Sequence, residues 1–388
     1  MFFEQPGTGP GIHALVIGVG GYPHLASGAR ARGRVPRLLR GLGPLTSPPR
    51  SALAFARHLV DGTDGIWQTP LRSVDVLLSW AADDTDGLGQ AASVQASPAG
   101  LDDIREAFER WTASCSTDPD NVGILYFCGH GLQSDGQILL ADDINRFAES
   151  PFAQAFDFDR TRLALQQRGP RTQFFVIDAC RVGGSGDEPP AVLALADRTV
   201  FGLSVRQNEL TVRMPPYSEA TGYPEQVSHL TSALIKALDG QAAETDDAGE
   251  WVVRMEGISG AINTLLMREL GVEALDQGVE TTIVGDAVLY RLHEAPAARL
   301  TVRCLPPEAA SRTKLTCVPH EPPDSPHIHG GQPVDARPTA DGERIRQWEL
   351  HLRAGVYTVR AACDEAAAVS RCLPVWPPHS RTSLRVAP

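Results

Sequence analysis

Unbroken apolar runs alternate with stretches of helical spacing over the first three quarters of the chain. "IHALVIGV" (12–19), "SVDVLLSW" (73–80), "VGILYFCG" (122–129) and "QFFVIDAC" (173–180) read as strands buried on both faces. Between them, "SALAFARHLV" (51–60), "SPAGLDDIREAFERW" (97–111) and "DRTRLALQQR" (159–168) repeat apolar residues every three or four positions, as amphipathic helices do. In the second of these Ser97 is the expected N-cap, Pro98 the first helical residue, and Leu101, Ile104, Phe108 and Trp111 the buried face. The pattern also predicts a short strand at 137–142, a strand at 199–205, a helix over 227–240 closed by Gly240, a helix near 256–269 and a strand over 281–290. This β-α-β succession implies an α/β fold, a mostly parallel sheet sandwiched by helices. Its reactive groups belong at the carboxyl ends of the strands.

Beyond about residue 296 the spacing changes from helical to alternating. "ARLTVRCL", "TKLTCVP", "RQWELHLRAGVYTVRAAC" and "TSLRVAP" alternate apolar and polar residues between Pro- and Gly-rich turns. The expectation is an α/β domain at 1–295 and a small C-terminal antiparallel β-sandwich at 296–388. The length supports two domains, because single cores stop growing at roughly 250 to 300 residues. "LRAGVYTVRA" (352–361) resembles a strand-turn-strand element of transthyretin-like and immunoglobulin-like accessory domains.

Charge narrows the partners. A formal net charge of -12 argues against a general nucleic-acid binder while leaving room for basic peptides. No apolar run reaches the ~18 residues of a membrane helix, and "MFFEQPGTGPG" lacks the pattern of a signal peptide, so a cytoplasmic location is expected. Seven cysteines without close CxxC spacing suggest neither a disulfide framework nor a zinc site. Cys128 and the four C-terminal cysteines (304, 317, 363, 372) read as packing residues. Residues 26–50 place six arginines in a Gly- and Pro-rich insertion, read as a surface loop open to self-cleavage within 30–40 or able to shield a cleft.

Two strand ends carry chemistry. The strand "ILYFC" runs into Gly129, His130 and Gly131, and "FFVID" runs into Ala179 and Cys180. In a parallel sheet both ends share one edge, where a histidine can deprotonate a thiol. A glycine at 131 lets its N–H approach a carbonyl oxygen, so Gly131 and Cys180 N–H groups are the candidate oxyanion hole.

"YFCGHG", "LLADD" and "FFVIDACRVGG" resemble the caspase-like cysteine peptidases, including metacaspases and bacterial caspase homologues. The spacing of 180 − 130 = 50 residues matches the ~50 of the caspase signature. "ALVIGVGGYPHL" and "HLTSALIKALDG" are similar to the family's first strand and a late core helix. The resemblance spans about residues 11–292 and implies a cysteine endopeptidase with Cys180 as nucleophile and His130 as acid and base. Asp178 stands where caspases carry glutamine and where metacaspases carry an acid. It therefore implies cleavage after Arg, less well after Lys, with Tyr22 and His24 walling the same pocket. The resemblance further suggests a regulated bacterial effector of defence or cell death, and the C-terminal domain is expected to recruit a partner or substrate. The alternative is a catalytically silent adaptor. No cofactor is expected. Calcium activation as in some metacaspases is conceivable through "DGTD" (61–64) or "DDTD" (83–86), and Asp142 and Asp143 are read as loop-fixing residues.

Overall fold

The computed structural model describes the chain except for residues 32–34, 62–64, 83, 85–95, 168, 184–191, 197–205, 215–226, 272–277, 321–325, 336–345, 364–366 and 387–388. The described residues form two compact units, Met1–Ile235 with Arg254–Leu289, and Lys236–Val253 with Tyr290–Pro388. The second unit thus takes a segment from the middle of the chain as well as its C-terminal part.

The first unit is built on a seven-stranded sheet. Its strands in chain order are β1 (Phe3–Glu4), β2 (Ile12–Val19), β3 (Leu71–Ser79), β4 (Val122–Gly129), β5 (Thr172–Ala179), β6 (Asn208–Arg213) and β7 (Glu280–Val284). They lie in the order β1-β3-β2-β4-β5-β6-β7. The five inner strands pair in parallel, and β1 and β7 close the edges antiparallel. Buried on both faces, β2, β4 and β5 have no solvent side to make polar, which is why they read as continuous apolar runs.

Helices cover both faces. On one face Leu15, Ile17, Leu125, Phe127, Phe175 and Ile177 pack with Leu101, Ile104, Phe108 and Trp111 of α2 (Leu101–Cys115). On the other, α1 (Ser47–Asp61) crosses so close to β2 that a Cβ on Gly18 would meet the Ala52 Cβ at 2.7 Å. Phe55 of α1 stacks on Tyr126 at 4.8 Å, and the Tyr126 hydroxyl lies 2.6 Å from that of Thr231. Thr231 belongs to α4 (His229–Lys236), which follows α3 (Phe158–Leu165) and precedes α5 (Met255–Leu270).

Two expectations need correction, and a third falls outside the described residues. Helix α2 starts at Leu101 behind Gly100, not behind Ser97, whose backbone is already committed to Val76 and Leu78 of β3. The strand expected over 281–290 is two strands, Glu280–Val284 and Val288–Leu292, separated at Gly285 with φ +62°. The sixth strand of the sheet is Asn208–Arg213. The segment expected to supply a strand, 199–205, lies outside the described residues.

In the second unit two four-stranded sheets enclose Leu300, Val302, Leu315, Trp348 and Val359. Most neighbours are antiparallel as expected. The pair Ala297–Leu305 and His379–Arg385 is parallel, because the last strand crosses over from the other sheet instead of returning by a hairpin. Cys304 and Cys317 fill this core. Cys363 is half-buried and packs against it, whereas Cys372 is exposed, its sulfur 3.5 Å from His320 Nε2, and is not a core residue.

Candidate active site

Gly129 and Ala179, the last residues of β4 and β5, are paired across the ladder. The next residue on each strand therefore leaves the same sheet edge, which brings His130 beside Cys180. The Cys180 Sγ lies 3.9 Å from His130 Nδ1 and 3.7 Å from the Gly131 carbonyl oxygen. Both side chains are nearly enclosed: His130 is 6% exposed and Cys180 5%.

The histidine is held from three sides. Its amide donates to the Tyr22 hydroxyl at 2.8 Å, and the Tyr22 ring lies tilted against the imidazole at 4.7 Å. Its Nε2 is 2.7 Å from the Gly43 carbonyl oxygen. A carbonyl only accepts, so Nε2 carries the proton and Nδ1 of a neutral ring turns its lone pair toward the thiol. Burial lowers the His130 pKa to about 4, partly opposed by the Gly43 bond, so the neutral, basic form prevails at ordinary pH. The flanking glycines have a packing reason. A Cβ on Gly129 would meet the Tyr22 hydroxyl at 2.8 Å, and one on Gly131 would meet the Cys180 carbonyl oxygen at 2.4 Å.

The Gly43 carbonyl changes the reading of the arginine-rich insertion. The stretch from Val35 to Leu45 is not a detached surface loop: Leu39 is fully buried, and Val35, Leu38, Leu42 and Leu45 pack on the same core as α2. This seating brings Gly43 to the imidazole. Nothing in the composition of the insertion marks Gly43, because a backbone carbonyl leaves no signature in side-chain chemistry. The leucines among the arginines were the available signal. Of the expected self-cleavage region, residues 32–34 lie outside the described residues.

Arg181 escaped the sequence reading as well. Only 4% exposed, it donates through Nε to the Met214 carbonyl at 3.0 Å and through Nη1 to Gln133 at 3.3 Å, and its Nη2 meets Glu280 at 2.5 Å. It fixes the backbone leaving Cys180 to the end of β6, to β7 and to the strand Gly131–Gln133. A buried arginine directly after the thiol was legible in "DACRVGG" as a residue that needs partners.

Asp178 points to the face of the sheet that α1 and α4 cover, away from the α2 core, and is 1% exposed there. One carboxylate oxygen accepts from the Ser228 and Thr231 hydroxyls, the latter at 2.6 Å, and Ser228 in turn accepts from the Thr231 amide at 3.1 Å. Asp178 thus secures the start of α4. Its second oxygen has no N–H or O–H partner among the described residues. Burial raises its pKa, while the hydroxyl bonds and the Cys128 thiol favour the charged form. Cys128 is fully buried beside it, and burial pushes its thiol well above the ordinary range, as befits a structural residue.

Tyr22 is 1% exposed and packs against the His130 imidazole, and the His24 carbonyl accepts from the Asn145 side chain at 3.1 Å. Asp143 accepts from the Leu101 amide at 3.1 Å and so caps α2, the loop-fixing part expected of it. Of the acidic runs weighed for calcium, Asp84 instead forms a buried, two-armed ion pair with Arg50, one arm at 2.7 Å. Most of both runs lies outside the described residues, and among those described no cluster of three or more metal-ligating side chains occurs. No helix among them is long and apolar enough to cross a membrane.

The caspase domain profile matches residues 13–257, well over half of the chain. The chain belongs to the caspase family of cysteine peptidases. The matched span contains β3 to β6, all of β2 but its first residue, and both His130 and Cys180. An uncharacterized protein y4kE of Sinorhizobium fredii is 27% identical over 154 residues, which is 38% of this chain and 43% of that protein. The match thus spans less than half the length of that relative.

Proposed function

We propose that this caspase-family chain is a cysteine endopeptidase with a Cys180–His130 dyad that cleaves after basic residues, Arg above Lys. The observation that carries the reading is the tautomer: the Gly43 carbonyl accepts a hydrogen bond from Nε2–H, which leaves Nδ1 as a base directed at the Cys180 sulfur. Substrate binding closes the 3.9 Å gap by a small ring or thiol rotation, as catalytic contacts tighten on complex formation.

The Cys180 thiol gives its proton to His130 Nδ1, and the thiolate attacks the scissile carbonyl. The N–H groups of Gly131 and Cys180 receive the oxyanion. His130 passes the proton to the departing amine, which leaves a thioester on Cys180. Water, deprotonated by His130, then cleaves that thioester and restores the thiol.

Preference for Arg rests on Asp178. It is a carboxylate two residues before the nucleophile with one oxygen unmatched by N–H or O–H donors, and a guanidinium supplies paired donors. Entry of that guanidinium displaces the Ser228 hydroxyl from Asp178. The deciding measurement is a fluorogenic panel varied at P1, run with wild type and Cys180→Ala beside an activity probe directed at Arg-specific cysteine peptidases. Turnover and labelling by wild type only, with Arg fastest, is expected. Asp at P1 outpacing Arg overturns the specificity, and an unlabelled, inactive wild type favours the adaptor reading.

A further inference from the structure

A cavity of 480 Å³ is walled by Tyr22, Pro23, Pro44 and Trp80 and bordered by Asp142. It sits above the carboxyl ends of β2 and β3. The sheet order makes the sequence Cys180 on β5, His130 on β4, then this cavity, along one edge. Tyr22, which packs against the imidazole, also lines this cavity.

The chemistry of the cavity is that of a receptor for a cationic side group. Aromatic and proline surfaces suit the flat or aliphatic stem of arginine or lysine. Trp80 is anchored, with the Arg50 guanidinium 5.5 Å from its ring centroid and Asp84 neutralising that arginine. Asp142 supplies the opposite charge. Among the described residues its carboxylate has no hydrogen bond or ion pair, whereas its neighbour Asp143 is met by the Leu101 amide and lies 4.0 Å from Arg146. Burial and the nearby Asp143 and Asp103 carboxylates make the charge on Asp142 costly, and an entering cation relieves that cost.

In the reaction proposed above, His130 hands its proton to the amine of the leaving peptide, so that peptide passes on the His130 side of Cys180. We infer that the Tyr22–Trp80–Asp142 cavity is a primed-side subsite that takes the arginine or lysine of a residue following the scissile bond. The assignment of its direction rests on the peptidase reading; the cavity's taste for a cation does not. Substrates would then be basic on both sides of the cut, in accord with the acidic balance of the protein.

Two arms test this separately. In the first, the capped peptides Ala-Arg-Ala-Ala and Ala-norleucine-Ala-Ala are titrated calorimetrically into the Cys180→Ala/Asp178→Asn protein, which needs no turnover and lacks the carboxylate proposed for P1. The arginine peptide is expected to bind about tenfold more tightly, the worth of one charge-assisted hydrogen bond. Asp142→Asn should erase that difference, and Ala82→Trp, at an exposed position of the rim, should weaken binding by filling the space. Equal affinity of the two peptides, or a preference that survives Asp142→Asn, overturns the subsite. In the second arm wild type is given quenched substrates with one fixed P1 residue and varied primed residues. Cleavage without a primed preference for Arg or Lys also overturns it. Absence of any cleavage overturns the peptidase reading instead, and the binding arm still decides the cavity.

Discussion

The His130 Nε2 atom is bonded at 2.7 Å to the carbonyl oxygen of Gly43, a residue 87 positions earlier in the sequence. That bond selects the tautomer in which Nδ1 can accept a proton, so a backbone carbonyl sets which nitrogen faces the Cys180 sulfur. Its position depends on how the Val35–Leu45 stretch sits on the core.

Leu39, fully buried, anchors that stretch. Leu39→Ala is expected to cost about 2–5 kcal/mol of stability and to lower kcat at saturating substrate with KM little changed. Chemical denaturation and steady-state kinetics measure both. A change confined to KM would show that Gly43 shapes substrate binding rather than the base.

The acid limb of kcat/KM should fall near pH 4 rather than near 6.5. Burial lowers the His130 pKa to about 4, so protonation removes the base only at that lower pH. A rate profile on a neutral substrate, over a range in which the protein remains folded, checks this. A limb at 6.5 would mean that the imidazole is solvated in the working enzyme.

The observed hold of Asp178 on α4 and its proposed part in P1 recognition can be separated by substitution. Thr231→Val removes one hydroxyl bond to it and is expected to cost about 1–3 kcal/mol without changing the order of P1 residues. Asp178→Asn should keep the fold, since its amide oxygen still accepts from Ser228 and Thr231, and should reduce the Arg rate by at least about tenfold relative to uncharged P1 residues. An unaltered P1 profile in Asp178→Asn would restrict Asp178 to holding α4.

Asp142 is an unneutralised half-buried acid, and its effect on stability has a defined sign. Its folded pKa is raised to about 7 by burial and by Asp143 and Asp103, above the ordinary 3.8. The folded protein therefore binds this proton more tightly, and the contribution falls as pH rises from about 4 to about 7. Asp142→Asn has no such loss, so its stability relative to wild type should increase over the same interval. Paired melting curves at both ends of the interval suffice; a constant difference would show that the carboxylate is solvated.

Much of this was legible because buried parallel strands must be apolar throughout and helices must be apolar on one face. Ile12–Val19 appears with the boundaries its pattern predicts, and β4 and β5 end where glycine, histidine and cysteine break the apolar runs. Those breaks mark the site, since a polar group at the end of a buried strand needs a reason to be there. Ser97 misled because its hydroxyl suits a cap while its backbone was claimed by β3. Gly285 was passed over because an apolar run continues on both sides of it.

By itself the sequence determined the alternation of strand and helix, the family resemblance and the shared edge on which parallel strands bring His130 and Cys180 together. The tertiary structure alone decided which imidazole nitrogen faces Cys180, that Asp178 faces α4, and that Asp142 borders a cavity with Tyr22 and Trp80. These depend on a carbonyl, two hydroxyls and an empty volume contributed by segments distant in the sequence. Local pattern records what a residue prefers, whereas these partners are chosen only when the segments pack.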